Sequence, residues 1–137
     1  MNLIFSLIIA SVAFAQSRET PVYLEQFYNL QVSMERAYAE VSQIDTKSTE
    51  ARLDLSARMF ALQKAAHRLQ EGSAEAGTAP LKIGKGIDKR LHLVGLGCMG
   101  IDSILTALTN YLETDDRIFL SLAVEFRQTV ISIRKVL

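Results

Sequence analysis

Residues 87–112, IDKRLHLVGLGCMGIDSILTALTNYL, carry the stretch whose reading decides the fold. Read at helical spacing, Ile87, Leu91, Val94, Cys98, Ile101, Leu105, Leu108 and Leu112 recur at alternating steps of four and three, which is the stripe of a packed helix. Read locally, Gly95, Gly97 and Gly100 oppose it, since each glycine in a helix interior costs up to about 1 kcal/mol relative to alanine. A helix here therefore needs compensation, and close approach of neighbouring helices to the bare backbone supplies it. Around Leu91 to Ile101 every face is apolar except at His92, the pattern of a helix covered on all sides or docked against another chain.

The competing reading is a motif. Gly95-Leu96-Gly97-Cys98-Met99-Gly100 is a G-x-G-x-x-G that follows a short β-capable run, Leu91 to Val94, and precedes a helical stretch. It resembles the nucleotide-binding turn of hydroxyacid dehydrogenases of the Rossmann type. That resemblance implies a nicotinamide nucleotide whose pyrophosphate sits on the helix N-terminus, with an acid about twenty residues on holding the ribose. Glu113, Asp115 and Asp116 stand at about that distance. The acid should follow a second strand, however, and here it precedes the one candidate strand, Leu120 to Phe126, so the residues present do not complete a doubly wound sheet. A nicotinamide enzyme is therefore the third-ranked function, behind a packing role for the glycines.

Outward from this segment the same helical period repeats. Thr20-Pro21 reads as a helix opening, after which Tyr23, Phe27, Leu30, Met34, Ala37, Val41 and Ile44 form one stripe. Asp45 to Ser48 interrupts it, with Ser48 as the expected cap of a second stripe through Leu55, Met59, Leu62, Ala66 and Leu69. Gly72 is expected to end that helix. A last stripe, Phe119, Leu122, Phe126, Thr129, Ile133 and Val136, continues in phase from the third, so residues 87–137 are either a helical hairpin or one long helix. A turn at Glu113 to Asp116 is preferred, because Asp115 would otherwise put a charge in the seam and Thr114 offers a cap. Strict alternation over Leu120 to Phe126 also fits a strand, but Arg127-Gln128 is no hairpin turn.

Gly72 to Gly86 reads as a flexible linker with a basic second half. Lys82, Lys85, Lys89 and Arg90 stand against Asp88 alone, a patch suited to an anionic partner such as an acidic protein or lipid headgroups. The chain as a whole is balanced, with 15 basic and 15 acidic residues, so the broad attraction of a nucleic-acid binder is absent. At the N-terminus, Leu3 to Phe14 is apolar apart from two serines and closes on Ala13-Phe14-Ala15, which predicts a signal peptide over 1–15 cleaved before Gln16. The mature chain, 16–137, is then exported, periplasmic or secreted, with no transmembrane segment.

The chemistry-bearing residues are few. One cysteine and two histidines make no Cys/His metal framework. His67 with Glu71 and Asp88 with His92 are i,i+4 pairs near one end of adjacent helices, yet each lies off its stripe and should face solvent, so they are only weak metal candidates. Cys98 sits on the stripe as a buried thiol, and no Ser/His/acid set suggests catalysis. Apolar residues beside the stripes are more informative: Leu53 and Phe60 on the second helix, Leu93, Leu96 and Met99 on the third. In a monomeric bundle that surplus must either be wrapped by the linker or meet another chain.

The sequence thus predicts an all-α antiparallel (up-down) bundle of one domain, four helices preferred and three with a long C-terminal helix as alternative. Its expected role is non-catalytic interaction or structure, through homo-oligomerisation or another protein, with no cofactor. The alternative is a carrier holding a small hydrophobic ligand or haem between helices at Met34, Met59 and Met99.

Overall fold

The computed structural model describes residues 20–137, with residues 2–19 entering only as the first part of the first helix; the expected signal peptide 1–15 and its cleavage site lie outside the described residues. Four helices follow one another, α1 (Asn2–Gln43), α2 (Thr49–Thr78), α3 (Lys89–Thr114) and α4 (Ile118–Val136), with a 3₁₀ turn (Ala79–Ile83) between the second and third. Cross-helix contacts set the directions. Glu40 pairs with Arg58 across α1 and α2, Arg52 reaches the Leu112 carbonyl at 3.3 Å across α2 and α3, and Glu35 pairs with Arg127 across α1 and α4. The chain therefore runs up, down, up and down.

α3 is the centre. It packs against each of the other three helices, whereas the α4 backbone approaches α3 alone. Its stripe is buried as the spacing predicts from Leu91 through Leu112, while Ile87 stands outside the helix and is exposed. The motif glycines lie inside this helix and not in a strand-to-helix turn, so the backbone N–H groups that would cradle a pyrophosphate are tied up in the helical ladder. What the glycines do instead is admit neighbours. A Cβ on Gly97 would lie 2.5 Å from the Phe27 ring of α1, one on Gly100 2.7 Å from Val130 of α4, and one on Gly95 3.6 Å from the Ser73 hydroxyl of α2.

The same use of glycine corrects the expected linker. α2 does not end at Gly72 but continues to Thr78, because Gly72 leaves room for Tyr23 and Gly77 for Leu91, contacts that a Cβ would tighten to 3.2 Å in both cases. The connection between α2 and α3 shrinks to the 3₁₀ turn and Gly84 to Asp88. Gly84 closes the turn at φ 77°, and Asp88 caps α3 by accepting from the Arg90 and Leu91 amides at 3.0 and 3.2 Å. Thr20 does not open a helix at Pro21, which lies within α1; its hydroxyl donates to the Asp88 carboxylate at 3.2 Å instead.

The expected turn between α3 and α4 is present. Asp115 adopts the left-handed conformation at φ 57° and returns its N–H to the Tyr111 carbonyl, which rules out one continuous helix. The N-terminal cap of α4 comes from Asp116, whose carboxylate accepts from the Ile118 amide at 3.0 Å, and not from Thr114. Ser48 caps α2 as expected. The register of α4 differs from the expectation by one position: Ala123 and Val130 are buried, whereas Leu122, Thr129 and Val136 are exposed. The small residues face inward because α3 offers them the bare backbone at Gly100, and the larger ones lie along the flank.

Gly97→Ala tests this packing directly. Helix propensity alone would favour alanine by about 1 kcal/mol, yet the Cβ collides with a fully buried ring, and overpacking of this kind costs about 1–3 kcal/mol. Thermal denaturation should show a lower Tm for Gly97→Ala, partly restored when Phe27→Leu is added. A higher Tm for the single variant would mean that the close approach is absent.

Candidate interaction surface

α1 covers one side of the layer formed by α2, α3 and α4, and the other side of α3 is left uncovered. His92, Leu96, Met99, Ser103, Thr106 and Asn110 follow one another at steps of four and three and so share that outward side; none of them is buried. Leu96 is 41% and Met99 50% exposed. Phe60 at 58% and Leu53 at 65% stand on α2, seven residues and thus two turns apart on one side of the helix. α4 supplies Leu122, which with Phe119 and Phe126 borders a depression of about 220 Å³ against Ser103, Thr106 and Asn110. A second depression of about 170 Å³ lies between α2 and α3, lined by Gln70, Ala74, His92, Leu96 and Met99.

Four of the five residues expected at an interaction surface are therefore exposed, and Leu96 and Met99 belong to one face. Leu93 does not join them. It is half-buried, because it falls in the row of Gly97 and Gly100 that meets α1 and α4. Phe119 and Phe126 pack partly against the core, as their place in the expected stripe requires, and only their outer edges border this face; Leu122 was missing from the expected surface because the error in register placed it in the seam. The signal that could have found it is the width of the apolar arc on α4, broader than one seam requires.

Polar contacts frame this face on the α2 side. Gln63 donates to the Asp102 carboxylate at 3.2 Å and to the Thr106 hydroxyl at 2.9 Å, and His67 lies 3.6 Å from Asp102. This places His67 level with Asp102, ten residues along α3 from His92, a separation of about 15 Å at the helical rise. The two i,i+4 pairs thus do not converge on a metal. Asp88 is committed to capping and to Thr20, and His67 pairs across to α3 and not with Glu71. Among the described residues no group of three or more His, Cys, Asp or Glu side chains could hold a metal ion.

The three methionines of the carrier reading do not meet either. Met34 and Met59 are fully buried core, and Met99 is on the open face. Elsewhere, an open depression of about 600 Å³ lies between α1 and α2, lined by Tyr23, Leu30, Leu62 and Leu69 with Gln26, Asn29, Ser33 and Arg68 among its polar residues. On the opposite edge, α1 and α4 are joined by long side chains. The Arg127 guanidinium donates to both Glu35 oxygens at 2.9 Å and stacks over Tyr38, while Arg134 stacks over Tyr28; the Glu35 hydrogen bond raises the Arg127 pKa above its ordinary value.

No protein-family model, curated protein or solved structure matches the chain. The residues themselves must carry the functional argument, and the lone thiol shows how. Burial pushes Cys98 up to about 12, and the thiolate is the reactive species. In the folded protein Cys98 should leave a chromogenic disulfide reagent unreacted at neutral pH, with full reaction on adding denaturant. Prompt reaction without denaturant would place the thiol at the surface and reopen a redox role.

Proposed function

We propose that this is an exported helical-bundle protein whose role is non-catalytic association, and that the open side of α3 with its flanks on α2 and α4 is where a second copy of the chain sits. The observation that carries this reading is the absence of formal charge along the outward row Leu96, Met99, Ser103, Thr106 and Asn110, combined with the exposed Phe60 and Leu122 beside it. A two-fold dimer brings each residue of a patch near its own copy, so a patch of one charge sign repels itself and an uncharged, apolar one does not. Apolar side chains grouped on one uncharged face are what a partner surface would cover. Export rests on the leader sequence alone. Carriage of a small amphipathic ligand is a second reading, favoured by the depression between α1 and α2, whose size falls within the range of small-molecule sites; native mass spectrometry of the purified protein would detect such a ligand.

Sedimentation tests the dimer. The protein should sediment as a dimer, and Leu96→Glu or Phe60→Glu should weaken association about a hundredfold or more, because an unpaired carboxylate buried in an apolar contact costs several kcal/mol. Circular dichroism should be unchanged in both variants. A monomer at the highest soluble concentration, or variants that lose their helical signal, would make these residues ordinary packing and remove the proposal's support.

A further inference from the structure

The chain is neutral as a whole, yet its charges are sorted between the two ends of the bundle. At one end the α1–α2 turn and the α3–α4 turn bring Asp45, Glu50, Glu113, Asp115 and Asp116 together with Lys47, Arg52 and Arg117, five acids to three bases. At the other, the α2–α3 connection carries Lys82, Lys85, Lys89 and Arg90, and the end of α4 adds Lys135. Arg90 fixes these two segments beside each other by donating to the Leu137 carbonyl at 3.1 Å. The one acid within the α2–α3 connection, Asp88, is engaged as the α3 cap and by Thr20. Lys82, Lys85 and Lys89 make no ion pair among the described residues.

Interleaved with these cations are apolar side chains in water. Leu81, Ile83, Ile87 and Val136 are each at least half exposed, and no buried residue belongs to the 3₁₀ turn that carries the first two. A connector that only needed solubility would not place three large aliphatic residues at its tip between lysines. Aliphatic tips ringed by lysine suit the boundary between lipid headgroups and acyl chains, where the apolar groups leave water and the cations meet anionic headgroups.

We infer that the end of the bundle formed by the 3₁₀ turn, residues 84–90 and the tail of α4 is a docking surface for an anionic lipid bilayer, with Leu81, Ile83 and Ile87 inserting and Lys82, Lys85 and Lys89 contacting headgroups. This surface is separate from the uncharged side of α3 and does not depend on dimer formation. Docking through it leaves the bundle standing on the membrane, with the acidic end facing away.

The test reads the tip itself, through a dye placed on it. Ile83→Cys is labelled with a polarity-sensitive nitrobenzoxadiazole dye, Cys98 being buried and unreactive, and Lys47→Cys serves as the far-end control. Phosphatidylcholine vesicles containing phosphatidylserine should blue-shift and brighten the dye at position 83 and leave position 47 unchanged. Lys82→Glu with Lys85→Glu should lower the lipid-dependent signal about tenfold or more, as should removing phosphatidylserine. Equal responses at 83 and 47, a response indifferent to phosphatidylserine or to charge reversal, or a response only to a soluble polyanion such as a short DNA duplex would each overturn the inference.

Discussion

Everything in this bundle depends on how closely three helices can approach a fourth. Side chains normally hold packed helices 8–10 Å apart, and α3 shortens that reach by presenting glycine where each neighbour arrives: Gly95 toward α2, Gly97 toward α1, Gly100 toward α4. The helix gives up propensity at each of these positions. In return Phe27, Val130 and Ser73 sink against bare backbone, where contact area is large and water is absent. A motif that elsewhere marks the grip on a phosphate is here the means by which one helix accommodates three partners.

Central placement of α3 has an uneven result. With α1 on one side of the α2–α3–α4 layer and nothing on the other, the molecule has a lined face and an unlined one. Charge is distributed to match: ions lie at the two ends, along the α1–α2 edge, where Arg58 meets Glu40 and Asp54, and along the α1–α4 edge, where Arg127 and Arg134 span a gap the backbones do not close. The open side of α3 is left polar or apolar without charge. Neutral composition therefore conceals three surfaces of different character, one uncharged, one basic with aliphatic tips and one acidic.

Most of this frame was legible in the sequence. The stripes of α1 and α2 predicted most of their buried residues because each has one apolar row and a polar remainder; the stripe of α3 is buried too, but on that nearly all-apolar helix it left out Ile104, Ala107 and Tyr111, which are buried as well. Asp115 marked the last turn because a charge in a seam is costly. α4 defeated the same method for a physical reason: Phe119, Leu120, Leu122, Ala123, Val124 and Phe126 are apolar on several sides, so periodicity leaves the phase open, and only the shape of α3 selects Ala123 over Leu122. Gly72 was misread because a glycine that ends a helix and one that admits a tyrosine ring look alike without the partner. The Glu35–Arg127 link joins residues far apart in sequence, and no local pattern announces it. At the candidate surface, Leu53, Phe60, Leu96 and Met99 were legible as surplus, whereas the contribution of α4 waited on its register.

The turn at Asp115 carries one more implication. Aspartate is one of the few non-glycine residues that takes up the left-handed conformation as a single residue, and here it does so at the joint between the most enclosed helix and the one with only two buried residues, Ala123 and Val130. Were the joint straight, the last helix would run on from α3 and the row at Gly100 would be bare; the turn folds α4 back instead, so that Val130 covers it. One residue in an unusual backbone conformation thus decides which surface of the most enclosed helix its own chain covers.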